Sequence, residues 1–229
     1  KRDINKAIHY FSLAANQNNS NAQFYIAIIY DTGEYITRDI NKAIHYYSLA
    51  ANQNHSDAQF NLGIMYSTGK YVKRDINKAI HYFSLAANQN DSKAQYNLGV
   101  IYYRGEYITR DINKAIHYFS LAANQNHSNA QFSLGIIYET GKYVKRDINK
   151  AIHYFSLAAN QNNSNAQFYI AIIYDTGEYI TRDINKAIHY YSLAANQNHS
   201  DAQFNLGIMY STGKYVKRDI NKAIHYFSL

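Results

Sequence analysis

The chain has 229 residues, a formal net charge of +7 at pH 7, and no cysteine, proline or tryptophan. The absence of cysteine excludes disulfides and thiolate chemistry. No segment approaches the ~20 consecutive apolar residues that a membrane-spanning helix needs, so we expect no membrane insertion.

The first predicted element is the segment RDINKAIHYFSLAANQN at residues 2–18, which returns every 36 residues. In its second copy, apolar residues recur in steps of three and four over residues 40–51, which is typical of one buried helix face. Asp39 precedes this face at the position of a helix N-cap. Asn54 follows it, where a residue in the left-handed conformation closes many helices. We call this element helix B.

A second element, helix A, is predicted between successive copies of helix B. Ser56 and Gln59 have the spacing of a capping box. An apolar face then runs from Ala58 to Tyr66, and Gly69 is suited to close the helix. A unit of 36 residues is too small to bury its own apolar face, so stacked neighbours are expected to supply the core. The sequence thus predicts one array over residues 1–229, with helix B first, six A–B units, and an incomplete last helix.

The repeat resembles a known family at positions along both helices. These positions are Leu62-Gly63-x-x-Tyr66-x-x-Gly69, Val72-x-x-Asp75, Lys78-Ala79, Tyr82 and Ala86-Ala87. They are similar to the Sel1-like repeat, one of the tetratricopeptide-like helical solenoids. The resemblance implies an all-α fold of stacked antiparallel helix pairs in a right-handed superhelix. It also implies a scaffold or adaptor that assembles other proteins.

Three departures from the family pattern are visible. Asn replaces the usual Gly at the end of helix B, and Tyr replaces a second Gly in each A–B turn, as at Asn54 and Tyr71. Ala27 and Ala171 replace the helix A glycine in two repeats, which should move those helices slightly apart. Some bacterial members carry a cysteine pair in each repeat and have been credited with penicillin binding. That activity is not carried over, because this chain has no cysteine.

The positive charge is spread evenly along the chain. Each Arg-Asp-x-x-Lys segment contributes a net charge of one, and its seven copies account for the whole excess of +7. A nucleic-acid-binding face usually clusters its lysines and arginines. The sequence therefore favours a solvated surface over nucleic-acid binding, and a basic nucleic-acid-binding solenoid is kept as a weaker alternative.

One histidine recurs on the polar side of helix B in every repeat: His9, His45, His81, His117, His153, His189 and His225. Metal ligands must lie about 2 Å from one ion, whereas packed helices lie about 8–10 Å apart. One histidine per repeat therefore cannot build a metal site within the chain, and exposed histidines are expected. No catalytic motif and no phosphate-binding loop is present, so we predict no enzyme, no metal and no cofactor.

Two recurring patterns in the turns have simple structural interpretations. The turn tyrosines, such as Tyr35, are expected to fill the gap between adjacent A–B turns. Each B–A turn also reads Asn-x-Ser, which matches a glycosylation acceptor and matters only in the secretory pathway. We prefer a capping role, in which Asn54 closes helix B and Ser56 caps helix A.

Comparison of the copies with one another separates a constant helix B from a variable helix A. Three variable columns lie four and seven residues apart, so they share one side of helix A, which is expected to line the concave groove. Solvent exposure alone could explain this variation, and recognition of a protein partner is the functional alternative. Ten of these residues are the candidate partner-binding set, here called the helix A stripe: Tyr25, Asn61, Asn97, Ser133, Tyr169, Asn205, Asn21, Asp57, Lys93 and Arg104.

A longer period overlies the short one, since residues 1–85 recur unchanged as residues 145–229. The end helices are expected to expose residues that are core elsewhere, such as Ile4, Ala7, Ile8 and Phe11. This predicts either an interior piece of a longer array or one unit of an end-to-end assembly. The leading functional hypothesis is a scaffold for protein partners, and the alternative is a self-associating filament or spacer.

Overall fold

The computed structural model describes residues 4–228, which form thirteen α-helices and no strand. The helices belonging to the B elements are α1 (Ile4–Asn16), α3 (Ile40–Asn52), α5 (Ile76–Asn88), α7 (Ile112–Asn124), α9 (Ile148–Ala159), α11 (Ile184–Ala195) and α13 (Ile220–Phe227). The A helices are α2 (Ser20–Thr32), α4 (Ser56–Thr68), α6 (Ser92–Arg104), α8 (Ser128–Thr140), α10 (Ser164–Thr176) and α12 (Ser200–Thr212). The predicted all-α fold of repeated helix pairs is confirmed.

Helix packing divides the chain into two compact units, Lys1–Leu121 and Ala122–Leu229. In the first unit, one core cluster surrounds Tyr47 and Leu62, and another surrounds Phe83 and Leu98. In the second unit, the clusters surround Phe155 and Ile170, and Tyr191 and Leu206. Each cluster draws on a B helix and the A helix that follows it, so neighbouring repeats share their core as expected for stacked units. The description of residues 1–229 as one domain stays a prediction.

The two helices of a pair run antiparallel. Gln59 near the start of α4 accepts a hydrogen bond of 2.7 Å from Gln89, just beyond the end of α5. Tyr66 near the end of α4 stacks on Tyr82 in the first half of α5, with ring centroids 5.9 Å apart. Between these contacts, a Cβ on Gly63 would lie only 2.5 Å from Cδ1 of Phe83. The absence of a side chain at Gly63 therefore makes room for the buried Phe83 ring.

Each B helix begins as predicted. The Asp39 carboxylate accepts a hydrogen bond of 3.0 Å from the Lys42 backbone N–H, in extended backbone geometry. The equivalent aspartates of α5, α7, α9, α11 and α13 make the same bond at 2.9–3.0 Å. These caps satisfy backbone donors that the first helical turn leaves free.

Helix A begins differently from the prediction, which named Ser56 as the cap. The N-cap is His55, whose Nδ1 accepts from the Ala58 N–H at 3.4 Å, while Ser56 is already helical and its buried Oγ has no hydrogen-bond partner. The preceding Asn54 takes the left-handed conformation at φ 61°, which leaves a single extended residue before helix A. The capping-box interpretation was therefore wrong by one residue.

Both helix ends close in the left-handed conformation, as predicted. The asparagine after each B helix has φ between 60° and 66°, at Asn18, Asn54, Asn90, Asn126, Asn162 and Asn198. The glycine after each A helix has φ between 62° and 69°. Asn and Gly are the residues that enter this region at least cost. The Asn-x-Ser pattern thus includes the residue that closes helix B, although its Ser does not cap helix A.

A buried glutamine in four of the A helices links three successive helices, a role that the sequence did not reveal. Gln23 in α2 donates to the Ala15 carbonyl of α1 at 3.2 Å and accepts from Gln53, after α3, at 2.7 Å. The side chains of these glutamines are at most 7% exposed. Because a buried amide without partners is costly, the links also position the helices relative to one another. Gln59, Gln131 and Gln167 make the same pair of bonds.

Candidate partner-binding surface

The histidines of helix B point away from the core. His9, His45, His81, His117, His153, His189 and His225 are all exposed, as predicted. Each packs edge-on against the next tyrosine, with centroids 5.2 Å apart for His45 and Tyr46. Over residues 4–228, no group of three or more His, Cys, Asp or Glu side chains is arranged to hold a metal ion. This face presents a regular polar surface with little variation between repeats.

The cations of the Arg-Asp-x-x-Lys segments engage their own and neighbouring repeats. Lys42 Nζ lies 3.7 Å from Asp39 and 5.0 Å from the centroid of the Tyr30 ring. Arg146 Nε donates to the Glu139 carbonyl at 2.6 Å, at the end of the preceding helix A. Arginine so placed satisfies carbonyls that the last helical turn leaves free. The cationic groups of the repeat are therefore largely engaged in contacts with carboxylates, tyrosine rings and carbonyls of the array itself.

The turn tyrosines fill the space between adjacent turns, as predicted. The Arg38 guanidinium lies 4.2 Å from the centroid of the Tyr71 ring and donates to its hydroxyl at 2.6 Å. Arg182 lies 3.7 Å from the Tyr215 ring. Hydrogen bonds from Lys70 and then Arg38 lower the pKa of Tyr71, since nearby cations favour the phenolate. Within each of the two units, such contacts join one turn to the next through positions that are constant in the repeat.

The helix A stripe is accessible along its length. Asn21, Tyr25, Asp57, Lys93 and Arg104 are exposed, and Tyr25 is 51% exposed. The remaining members are half-buried: Asn61, Asn97, Ser133, Tyr169 and Asn205. The structure thus places the variable residues at the surface, where they are available to another molecule.

Some members of the stripe also cover the ring of the preceding helix B. Tyr25 stacks on Phe11 with centroids 5.3 Å apart, and Tyr169 stacks on Phe155 at 5.5 Å. Asn61 instead shares a hydrogen bond with the buried Tyr47 hydroxyl. Part of the variation at this column therefore follows the ring beneath it, a dependence that the sequence comparison did not detect.

The Tyr47 hydroxyl is held in a polar pocket beneath the stripe. It lies 3.4 Å from Oδ2 of Asp31, and the side chain is 1% exposed. Burial first, and then the Asp31 charge, raises the pKa of Tyr47 far above its usual range. Tyr191 and Asp175 repeat this arrangement at 3.5 Å in the second unit. Both tyrosines are therefore neutral donors at physiological pH.

The structure brings two stripe residues together in a cleft of about 370 Å³ between the α4–α5 pair and α6. Asn97 and Arg104 line it from α6, and Arg74 lines it from the preceding turn. Its apolar lining includes Phe83 and Val100. In the second unit, Asn205 lines a smaller cleft of about 200 Å³. Tyr25, Asn61, Ser133 and Tyr169 line neither cleft.

Arg74 is the main residue of this cleft that the sequence analysis did not select. It was overlooked because arginine is constant at this position, and only variable positions were selected. The signal lay in the residue seven positions earlier, which is Asp31, Ser67, Tyr103, Glu139, Asp175 or Ser211 in successive repeats. Asking in which repeats this residue is a carboxylate that can pair with the constant arginine would have identified the site.

The Sel1 repeat family matches the chain in seven consecutive segments: 1–19, 20–55, 56–91, 92–127, 128–163, 164–199 and 200–229. The chain belongs to the Sel1 repeat family. Its paired helices in repeats match those of Sel1 solenoids, and Sel1 repeat proteins are generally non-catalytic scaffolds for protein interaction. No curated protein sequence matches the chain significantly.

Solved structures agree with this assignment. A Sel1 repeat protein from Oxalobacter formigenes is 34% identical over 92% of this chain and 86% of its own, with a TM-score of 0.81. The protein c5321, a protective antigen present in uropathogenic Escherichia coli strains, displays an SLR fold. It is 26% identical over 96% of this chain and 55% of its own, with a TM-score of 0.66. Over residues 4–228, every helix is too short or too polar to cross a lipid bilayer.

Proposed function

We propose that this Sel1 array is a non-enzymatic scaffold that binds a protein partner through the helix A stripe. The observation that carries the proposal is the contrast between the two helices of each repeat. Helix B presents a nearly constant polar face, whereas helix A presents variable side chains at the surface, from Tyr25 to Arg104. A surface that differs from one repeat to the next gives a partner a defined register along the array.

Nucleic-acid binding is less well supported than protein binding. Many arginines and lysines that make the chain basic contact helix-end carbonyls, carboxylates and tyrosine rings of the array, as Arg38 and Lys42 do. Nucleic-acid affinity depends on cations free to pair with phosphates. End-to-end association into a filament stays a prediction.

The experiment is a selection of binding peptides from a display library of random dodecapeptides, followed by affinity measurements on array variants. Exposed aromatic anchors at an interface contribute about 2 kcal/mol or more when they are hot spots. We therefore expect Tyr25→Ala or Tyr169→Ala to weaken selected peptides by roughly tenfold or more. Circular dichroism of each variant should show unchanged helicity.

The matched control is His45→Ala, which alters the exposed face of helix B and should leave affinity unchanged. Equal losses from all three substitutions would contradict the proposal, because the stripe would then have no special role. Failure of the library to yield any binder that competes for the stripe would also count against it.

A further inference from the structure

Three repeats show which chemical group pairs with the constant arginine of the turn. Arg182 Nη2 lies 2.9 Å from Asp175, Arg146 Nη2 lies 3.3 Å from Glu139, and the corresponding Arg38–Asp31 distance is 3.9 Å. In each case, the carboxylate comes from the last turn of the preceding helix A. An arginine fork is well matched to a carboxylate, and such charge-assisted hydrogen bonds are among the stronger ones in proteins.

The second repeat lacks this carboxylate. Ser67 stands where Asp31, Glu139 and Asp175 stand in three other repeats, and its hydroxyl donates to the Ile64 carbonyl at 3.0 Å. Arg74 forms no ion pair with any residue over 4–228. It donates to the Tyr107 hydroxyl and to the Thr68 carbonyl, which leaves further N–H donors of the guanidinium available.

This unpaired arginine lies in the larger of the two clefts described above. The cleft opens beside Ser67 and has an apolar lining that includes Phe83 and Val100. Arg104 adds a second positive charge at the rim, and Glu106, 3.9 Å from it, offsets part of that charge. Both rim side chains are more than half exposed, so their pairing is weak.

We propose that this cleft binds an acidic side chain of a partner protein, with its carboxylate on Arg74 and a neighbouring apolar residue against the half-buried Val100 and Ile101. The inference rests on the proposed function, because it names the partner chemistry that one part of the helix A stripe recognises. The array itself defines this chemistry, since Asp and Glu side chains occupy the equivalent site in other repeats. The site combines one uncompensated arginine with apolar contacts, so it selects a carboxylate beside a hydrophobic residue rather than any anion.

The test uses two acetylated and amidated decapeptides of glycine and serine, one with a central Leu-Glu pair and one with Leu-Gln. Binding is followed by ¹⁵N chemical shifts of the full chain, including the Arg Nε–H signals. We expect the Glu peptide to bind at least fivefold more tightly than the Gln peptide, with the largest shift at Arg74. Ser67→Asp should place a carboxylate on Arg74 from within the chain and abolish this preference.

Ser67→Asn is the matched control, because it has nearly the same size as Ser67→Asp without the charge. It should retain the preference for the Glu peptide, and both variants should keep the helicity of the unmodified chain. Equal binding of the two peptides would overturn the inference, as would unchanged binding to Ser67→Asp. Tighter binding at Arg74 of an oligothymidylate, or of a peptide offering only a free C-terminal carboxylate, would also overturn it.

The proposed function and this inference fail in different ways. Selected peptides that need Tyr25 or Tyr169 but show no acidic preference at Ser67 and Arg74 would leave the scaffold in place and remove the inference. Peptides that bind only the helix B face would remove the proposed function itself.

Discussion

Two kinds of helix pair occur in this array, and they differ at the point of closest approach. In α4–α5, Gly63 faces the buried Phe83, whereas in α2–α3, Ala27 stands in the place of glycine and Tyr47 in that of phenylalanine. The stacked tyrosines beside this point, Tyr30 and Tyr46, lie 6.1 Å apart in the Ala pair. The equivalent distance is 6.3 Å in α10–α11, and 5.9 Å in each pair that has glycine. The ring distances differ in the direction expected from a wider helix spacing at Ala27 and Ala171, and that wider spacing stays a prediction.

The difference teaches that three positions change together. Where alanine replaces glycine, the facing ring is tyrosine and the last turn of helix A carries aspartate, as in Ala27, Tyr47 and Asp31. The aspartate accepts from the buried hydroxyl, which would otherwise lack its acceptor on helix A. Where glycine is present, phenylalanine needs no such acceptor, and this position is free to vary. Ser67 is one of the residues found at this variable position, and it lines the cleft beside Arg74.

The largest effect is expected from Gly63→Ala. The new Cβ would lie 2.5 Å from Cδ1 of Phe83, a ring that is fully buried and has little room to move. Overpacking costs about 1–3 kcal/mol, more than the ~1 kcal/mol that alanine gains over glycine in a helix. We expect the free energy of unfolding in urea to fall by up to about 2 kcal/mol.

A triple variant, Gly63→Ala with Ser67→Asp and Phe83→Tyr, reproduces the Ala27 pair and should recover most of that loss. Equal stability of the single and triple variants would show that the three positions are not coupled. If Gly63→Ala left the free energy of unfolding unchanged, the proposed difference between the glycine pairs and the alanine pairs would be wrong.

A smaller effect is expected at the helix starts, where the Ala pairs differ from the glycine pairs that begin with histidine. The Ala pairs begin with Asn19 and Asn163, which accept cap bonds at 2.9 and 3.0 Å, whereas His55 makes its bond at 3.4 Å. Asparagine is a favoured N-cap, and a good cap contributes about 0.5–1 kcal/mol. His55→Asn should therefore raise the free energy of unfolding by about that amount. The reverse change, Asn19→His, should lower it, and a shift of the same sign in both would refute the difference in caps.

The smallest effect is spectroscopic and concerns alkaline pH. Burial and the Asp31 and Asp175 charges raise the pKa of Tyr47 and Tyr191, so folding favours their neutral forms. This stability is present below the ordinary tyrosine pKa of about 10 and is lost as the pH rises above it. Absorbance at about 295 nm should show two tyrosines ionising only as the array unfolds. Tyr47→Phe with Tyr191→Phe should remove that late step, and its persistence would mean that other tyrosines cause it.

Helices and their closures were predictable because local rules decide them. The spacing of apolar residues defines helix B, and Asp39, Asn54 and Gly69 each act within a turn of their own position. The cap of helix A was misplaced because Ser56 is a better capping residue than His55 by type, and only the backbone after Asn54 excludes it. The decision there depends on conformation rather than on residue preference.

The candidate surface was only partly predictable, for a different reason. The stripe is exposed as predicted, yet the cleft depends on side chains from two repeats, with Arg74 facing Asn97 and Tyr107. Such contacts join residues 20 to 35 positions apart and require the helix stacking to be known. The dependence of Asn61 on Tyr47 was hidden for the same reason.

The glutamine links have a consequence for how such a gene can change. Gln23 and Gln59 make the same bonds to the helix before and the helix after, and those partners are identical in sequence from copy to copy. A recombination that inserts or removes a whole period therefore leaves every glutamine with its two partners, whereas any other change of length breaks them. The exact recurrence of residues 1–85 as 145–229 is consistent with a duplication of whole periods, which keeps these glutamine hydrogen bonds intact. The array is thus free to vary its copy number while its interior stays the same.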